Sequence, residues 1–562
     1  MGAIDTSDGI PQTAPAHATT RPDRLGLYLL LAVVAAQLVP VWAFTYFPSM
    51  DGPAHVANNP AAEGWHAYYK LAKRPDPNLA GHLLLAGLMT VAPPLIAEKI
   101  LLSLYIVGLP LAFAYALRAI RPGAASAAIL ITPFTYSYVL HTGFYNFCLS
   151  LVVLLVVLGY WMRHRERMTI GRMAAFAGLM LLLYMTHLLS LILAVVVIAV
   201  TSIWLVQWDL IDQWKRHVHD PAEMWRGFKS RALRVAAASM PAVLLAVWWI
   251  RRHPERKIPG DKKQLLIDLA VLEPLVSWGG APLLLGIDSQ SWALHLTLEH
   301  LPTLLLSLGL LAAGTYVLVR KFKQRRLEWH DGLLLATAAV AGLYLFVGVQ
   351  VYLNQRLGLV APMLFALWVA AGHMSRWVQL ATQLGAAVVV LAMLAFHLQH
   401  SVPINRDLAE FASIAPHIEP DSTFLPLVAY RKLGQNEIQA TGGIQSFLYA
   451  GGYLVPERRL VDLRNYEGHM GYFPVDYRDQ VSPYRLLPAK GDDGRRDWVD
   501  LERWPPQIDW ANYLSHIDYV YVWARDADLQ TSQMRQFMGR LQRDFEFVKA
   551  TESGRGQLFR RR

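Results

Sequence analysis

The sequence of 562 residues is poor in cysteine and in charge. Its one cysteine, Cys148, lies inside an apolar run, which excludes an intramolecular disulfide and a metal site built from several thiolates. Charged residues make up 17% of the chain, well below the ~25% of an average soluble domain. Hydrophobic residues make up 54%, so the composition is that of a membrane protein.

Several functional motifs are also missing. The chain has no Walker A sequence and no dinucleotide fingerprint between a strand and a helix, so ATP or NAD use has no support. The HExxH and GxSxG motifs of metalloproteases and serine hydrolases are absent as well. The net charge of +10 does not indicate nucleic-acid binding, because the basic residues cluster at the ends of apolar runs. We therefore predict no nucleic-acid partner and no cofactor.

Eleven apolar segments approach the ~20 residues needed to cross a bilayer. They are residues 25–46, 97–117, 124–140, 145–162, 173–186, 188–206, 235–250, 301–319, 332–350, 357–374 and 378–397. If the N-terminus is cytoplasmic, the inside loops carry more Lys and Arg than the outside loops, as the positive-inside rule requires. These patterns predict an integral protein of the cell (inner) membrane with about eleven transmembrane helices.

The chain divides into three regions. Residues 1–24 are polar and predict a disordered cytoplasmic N-terminus, and residues 25–398 form the transmembrane region. Within it, residues 47–98 predict a structured outside loop, in which 78–94 is too short and too rich in proline for a span and fits an interfacial or re-entrant helix. Helical and strand-like patterns alternate in residues 399–562, which predicts a soluble, extracytoplasmic (periplasmic) α/β domain.

The first outside loop opens with "FPSMDGPAHVANN", which places Asp51 and His55 one helical turn apart. A carboxylate where hydrocarbon gives way to water could take a proton from an attacking hydroxyl, with His55 orienting it or tuning its pKa. The alternative is structural: an aspartate before Gly52 and Pro53 is also a good helix cap.

The chain resembles the GT-C superfamily of membrane glycosyltransferases. The resemblance is carried by "MDGPAHV", by "HLLLAGLMTVAPPLIAEKI" before the second span and by "LNQRLGL", together with the order of spans and the outside α/β domain. It implies a polyprenyl-phosphate-linked sugar as donor, and Asp51 as the catalytic base. Many members have paired acidic residues in the first loop, whereas Gly52 and Pro53 follow Asp51 here, so a divalent metal is possible but not supported.

Cations at the outer face could hold the phosphate of such a donor through charge-assisted hydrogen bonds. Candidates are Arg251 and Arg252, which open the basic stretch "RRHPERKIPGDKK", and Arg356 at the start of a span. The alternative is that these side chains extend to lipid headgroups and bind no ligand.

Further polar residues fall at the same predicted side. "YVLHTGFYNF" places His141, Tyr145 and Asn146 at one turn between spans, and "YMTHLL" places His187 at another. These residues could line a sugar site, or they could be interfacial anchors and interhelical hydrogen-bond partners.

The sequence thus predicts a membrane glycosyltransferase that transfers a sugar with inversion from a polyprenyl-phosphate donor to a glycan, lipid or protein acceptor. Two alternatives remain open. One is a transporter or flippase for lipid-linked saccharides, which is disfavoured because no internal repeat is visible. The other is a non-catalytic membrane scaffold with an outside binding domain.

Overall fold

The computed structural model describes residues 23–58, 65–215, 221–253, 261–278, 297–346, 353–429, 444–490, 496–497, 504, 506–511 and 513–562. The predicted disordered N-terminus therefore lies outside the described residues apart from its last two. Residues 254–260 of the basic stretch lie outside them as well.

The described residues are mainly helical. In chain order the α-helices are α1 Arg24–Trp42, α2 Gly52–Ala57, α3 Trp65–Tyr68, α4 Leu79–Met89, α5 Pro94–Ile120, α6 Tyr138–His141, α7 Tyr145–His164, α8 Ile170–Thr186, α9 Leu188–Lys215, α10 Pro221–Arg252, α11 Lys262–Ala270, α12 His300–Gln324, α13 Gly332–Phe346, α14 Leu353–Ala371, α15 Arg376–Ala412, α16 Val455–Arg458, α17 Glu467–Met470, α18 Pro483–Leu486, α19 Asp526–Leu529 and α20 Ser532–Asp544. Among the described residues, nine helices are long and apolar enough to cross a membrane: α1, α5, α7, α9, α10, α12, α13, α14 and α15.

Two of the eleven predicted spans are shorter helices. Residues 173–186 lie in α8, which ends at Thr186, and the extended backbone of His187 turns the chain into α9. Residues 124–140 form a 3-10 helix, Ala125–Phe134, followed by α6. Every residue of this 3-10 helix after Ala125 is buried, and its contacts are with α1, α5, α14 and α15. Backbone that is not α-helical is tolerated in a bundle where protein, rather than lipid, surrounds it.

The helices begin where local chemistry favours a start. Asp23 caps α1 by accepting from the Gly26 N–H at 3.0 Å. Pro94 opens α5 at a position where its missing N–H costs nothing. Thr169 caps α8 and Ser375 caps α15 through their hydroxyl groups.

The C-terminal part contains a five-stranded sheet in the order β3-β2-β5-β7-β6. Its strands are β2 Thr423–Val428, β3 Val461–Asp462, β5 Tyr519–Trp523, β6 Phe545–Ala550 and β7 Gly556–Arg561. β2 is parallel to β3 and β5, and β7 is antiparallel to β5 and β6. α20 packs through Met534, Phe537 and Leu541, which share one face. The predicted α-helical membrane architecture with a C-terminal α/β region is confirmed.

The segment between α1 and α5 is joined to the C-terminal part. β1 Tyr69–Leu71 pairs with β4 Val475–Tyr477 in an antiparallel two-stranded sheet. Arg74 reinforces this pairing with hydrogen bonds to both carboxylate oxygens of Asp476, at 3.0 and 3.1 Å. The sheet region therefore lies at the end of the bundle where α1 ends and α5 begins.

Candidate active site

Asp51 directly precedes α2, at the end of the bundle that carries the sheet region. Its backbone N–H donates to the Thr142 carbonyl at 3.0 Å, and that of Met50 donates to the His141 carbonyl at 2.9 Å. Gly143 adopts a φ of +88°, and a Cβ atom there would press against Asp51. The turn between α6 and α7 thus fixes the backbone of Asp51.

The Asp51 side chain is 5% exposed and makes no capping hydrogen bond to α2. Burial raises the pKa of Asp51 to about 7, because a carboxylate loses hydration there, and the Glu467 charge adds to this effect. The charges of His55 and Arg356 and the Tyr466 hydroxyl act in the opposite direction. A carboxyl group with a pKa near 7 can accept a proton at neutral pH.

The ring of His55 is held by two groups other than the Asp51 side chain. Its Nε2 donates to the Gly143 carbonyl at 2.8 Å, and its Nδ1 pairs with Glu467 of α17. The other carboxylate oxygen of Glu467 accepts from the Asn58 amide. Burial, the largest single effect, lowers the pKa of His55, but the charge and hydrogen bond of Glu467, the charge of Asp51 and the Gly143 carbonyl together outweigh it and raise the pKa to about 9. A charged pair therefore connects the first loop to the C-terminal region.

His82 of α4 lies beside the pair that His55 forms with Glu467. Its ring lies edge-on to that of His55, with 5.0 Å between ring centres. Burial lowers the pKa of His82 to about 4, so the ring is neutral at pH 7. His55, His82 and Glu467 are close enough together to hold a metal ion.

A second buried carboxylate, Glu98, lies beside the Asp51 loop. It accepts from the Tyr145 hydroxyl at 2.6 Å, and that hydroxyl is 3.0 Å from Ser49 Oγ. Gly52 fills the space between these groups, where a Cβ atom would collide with Ser49, Tyr145 and Glu98. Tyr145 therefore holds the start of α5 against the loop that carries Asp51.

Arg356, in the first turn of α14, lies at the same end of the bundle. Its guanidinium stacks over the Phe144 ring, 4.3 Å from the ring centre, and its charge lowers the pKa of Asp51 against the effect of burial. His187 is close by, with its ring edge-on to Phe147 and its Nδ1 accepting from the Leu189 N–H at 3.2 Å. This ring nitrogen of His187 caps α9.

The other predicted residues have different neighbours. Asn146 accepts from the Gly81 N–H at 2.7 Å and so caps α4. The His141 side chain turns away to Ser277, at 2.9 Å, and stacks with His397. Arg251 and Arg252 are exposed in the last turn of α10, where Arg252 stacks over Trp248.

Arg251 and Arg252 lie at the same end of the bundle as Asp51. Arg231, in the N-terminal half of α10, pairs at 2.8 Å with Glu166, which follows the last residue of α7. The N-terminal half of α10 therefore lies at the end of the bundle where α7 ends. α10 runs from that end towards the start of α7, so its last turn faces the Asp51 end. The predicted residues that the structure brings together around the start of α7 are Asp51, His55, Tyr145, Asn146, His187 and Arg356. Arg251 and Arg252 lie at the rim of the same end of the bundle. The side chain of His141 lies in a separate aromatic cluster.

Sequence reasoning missed Glu467, Tyr466, Asn58, His82 and Glu98. The stretch "RNYEGHMGYFPVDYRDQ" does carry a signal, since it is polar, aromatic and rich in loop residues, as ligand-binding segments are. That signal does not indicate which first-loop residue Glu467 contacts. Glu98 is visible as a lone acid at the start of an apolar run.

The helices, the sheet region and this buried site define an integral membrane protein whose C-terminal part closes over a carboxylate. No family model matches the chain, and no curated protein matches it either. Among solved structures, it is similar to the crystal structure of ArnT from Cupriavidus metallidurans bound to undecaprenyl phosphate. The two are 12% identical with a TM-score of 0.45, over 95% of this chain and 97% of that one.

Proposed function

We propose that the protein is a membrane glycosyltransferase of the GT-C type that uses a polyprenyl-phosphate-linked sugar, with Asp51 as general base. The observation that carries the proposal is the position of Asp51. It is a buried carboxyl group with a pKa near 7 at the junction of an apolar helical bundle and a polar domain. A donor held in lipid and an acceptor from water can meet at such a junction.

In the proposed reaction, the Asp51 carboxylate takes the proton of the acceptor hydroxyl as its oxygen attacks the anomeric carbon. A new carbon–oxygen bond forms, the bond between that carbon and the phosphate oxygen breaks, and the lipid phosphate leaves with the electron pair. Attack without a covalent enzyme intermediate predicts inversion at the anomeric carbon.

Arg356 is the proposed partner of the leaving phosphate. Its planar guanidinium lies over Phe144 at the Asp51 end of the bundle, and arginine suits phosphate oxygens because it presents several N–H donors in one plane. Arg251 and Arg252 would attract the anionic donor from the rim of the same end. His187, Tyr145 and Asn146 support the walls of the site through their contacts with α9, Glu98 and α4.

His55 acts in this proposal through its charge. It carries a positive charge when paired with Glu467, and that charge favours the ionised form of Asp51. The C-terminal region supplies Glu467 and Tyr466 and is proposed to lie on the extracytoplasmic side, where the acceptor would arrive.

The test is sugar transfer by the purified protein in liposomes that contain a panel of polyprenyl-phosphate sugars, with released lipid phosphate measured by mass spectrometry. We expect transfer by the wild type and loss in Asp51→Asn. Equal turnover in the variant would remove Asp51 from the mechanism. Movement of intact donor across the bilayer, with no release of lipid phosphate, would identify a flippase instead.

A further inference from the structure

We propose that a groove between α9 and α10, at the end of the bundle where α7 ends, binds one acidic phospholipid. This end is opposite to the one that carries Asp51, and the inference does not depend on the proposed sugar transfer. It rests on the length and apolar lining of the groove, on two arginines that line one end of it and on the basic residues around them.

The groove, called the α9–α10 groove below, has a volume of about 420 Å³, within the range of about 300–1,000 Å³ of ligand pockets. Its lining residues on α10 recur every three or four positions from Phe228 to Val243, which places them on one face of the helix. At a rise of 1.5 Å per residue this face is about 22 Å long. The opposite wall runs from Val195 to Leu205 of α9. An elongated groove of this kind fits a hydrocarbon chain.

Most of the lining is apolar, and the groove opens to the outside of the bundle. Met240 lines it and is 48% exposed, and Ala232 and Ala236 are exposed as well. In a membrane, the outside of the bundle is lipid. Among the nine described spans, α10 is the least buried, with 22% of its most apolar part inside the protein. A lipid chain in the groove would therefore add packing between α10 and the rest of the bundle.

Two arginines line the end of the groove where α7 ends. Arg165 follows the last residue of α7, and Arg231 belongs to α10. Both contact one carboxylate, because Glu166 is 3.2 Å from Arg165 Nε and 2.8 Å from Arg231 Nη1. Two guanidinium groups that reach one carboxylate can also reach one phosphate. The Glu166 side chain is 57% exposed, so its ion pairs are weak and a phosphate can replace it.

The charges around this end favour an anionic headgroup. Residues 163–172 contain four arginines and one acid, Glu166, and residues 226–234 contain three arginines, one lysine and no acid. Basic pockets between transmembrane helices bind anionic headgroups on the cytoplasmic side, and the topology proposed above places this end there. The cationic amine of a zwitterionic phospholipid would be repelled by the same residues. Arginines that only extended to bulk headgroups would account for the charge but not for the groove.

The test measures lipid binding by the full-length protein after delipidation in detergent. Phosphatidylglycerol and phosphatidylcholine with the same acyl chains are titrated separately, and retained lipid is counted by native mass spectrometry. We expect phosphatidylglycerol to bind at least about ten-fold more tightly, because hydrogen bonds between charged groups are the strong ones. A phosphatidylglycerol with a photoreactive acyl chain locates the site, and its cross-links should fall in residues 195–205 and 228–243.

Paired variants on α10 separate the groove from general attraction. Arg231→Gln should weaken phosphatidylglycerol binding by about ten-fold. Arg234→Gln removes the same charge from an exposed residue that does not line the groove, and should bind as the wild type does. Ala236→Leu should weaken the binding of the acyl chain by filling the groove. Its control is Ala237→Leu, at the next position, which is exposed and does not line the groove.

Glu166→Gln removes the carboxylate that competes for the two arginines, so it should bind phosphatidylglycerol more tightly. Equal binding of the two lipids by the wild type would overturn the proposal, since only hydrocarbon would then be recognised. Equal losses in Arg231→Gln and Arg234→Gln, or cross-links confined to the Asp51 end, would overturn it as well. If Arg231→Gln does not fold, Ala236→Leu decides, because it keeps both arginines.

Discussion

Gly452 lies directly against the backbone of Pro53, so closely that a Cβ atom at position 452 would overlap the Pro53 carbonyl group. The two residues belong to different parts of the chain. Pro53 is in α2, two residues after Asp51, and Gly452 is in a 3-10 helix, Ala450–Tyr453, of the C-terminal region. Tyr453 strengthens this contact by donating to the Phe47 carbonyl at 2.9 Å.

We expect Gly452→Ala to destabilise the protein, because the added methyl group must push the C-terminal region away from α2. Overpacking of this kind costs about 1–3 kcal/mol, which corresponds to a fall of a few degrees in melting temperature. Gly539→Ala is the matched control, since a Cβ atom at that position in α20 meets nothing within 4 Å and alanine favours a helix. Equal melting temperatures for the two variants would show that the close contact does not hold the domain.

Long apolar runs predicted the bundle well. Nine of the eleven predicted spans correspond to helices that are long and apolar enough to cross a membrane, because composition over about 20 residues is a strong signal. Residues 124–140 do not form a long α-helix. An apolar run does not reveal whether its backbone is α-helical or, as here, mostly a buried 3-10 helix with Pro133 near its end. α15 also continues to Ala412, beyond the predicted start of the soluble domain at residue 399, with Pro403 inside the helix.

The candidate site was only partly predictable. Asp51 and His55 stand out as charged residues just after an apolar run, and local pattern is enough to find them. Their partners are distant in sequence: Glu467 lies 412 positions from His55. No local periodicity encodes such a pair. His82 lies within the apolar helix α4, and nothing in the local sequence indicates that its ring contacts another histidine.

Asp51→Asn separates a catalytic role from a structural one. Because the pKa of Asp51 in the folded protein, about 7, lies above the ordinary value of 3.8, folding favours the protonated form. That contribution to stability is complete below about pH 4 and is lost as the pH rises towards 7. The variant cannot ionise, so its melting temperature relative to wild type should increase between pH 4 and pH 8, while turnover falls about 100-fold or more.

The measurement is a series of thermal melts and transfer assays at matched pH values. Asp526→Asn, at the start of the exposed helix α19, should change neither quantity and serves as control. A variant that loses both stability and turnover would indicate that Asp51 holds the fold and does no chemistry.

The pH dependence of turnover provides a separate test of the general base. The reactive form is the carboxylate, so kcat/KM should rise about ten-fold per pH unit below pH 7 and level off above it. A profile that is already flat at pH 5 would mean that Asp51 is ionised there and that its burial does not set the pKa. The assay should use a sugar donor whose phosphate does not titrate in this range, as in a phosphodiester.

Arg356→Gln should affect both the donor and the base. Removing the guanidinium takes away a charge that lowers the pKa of Asp51, so the rise in kcat/KM should move to higher pH. It also removes the proposed phosphate contact. A hydrogen bond to a charged group is worth about 1.5–3 kcal/mol, so KM for the lipid donor should increase by about ten-fold or more.

Arg356→Lys and Arg540→Gln complete the comparison for Arg356. Lysine keeps the positive charge but not the planar group that stacks over Phe144, so it should retain the wild-type pH profile and recover only part of the donor affinity. Arg540 is exposed on α20, and its substitution should leave both parameters unchanged. If Arg356→Gln raises KM without moving the pH profile, the arginine binds the donor but does not tune Asp51. If the profile moves and KM does not, the phosphate must be held by other cations, of which Arg251 and Arg252 are the next to change.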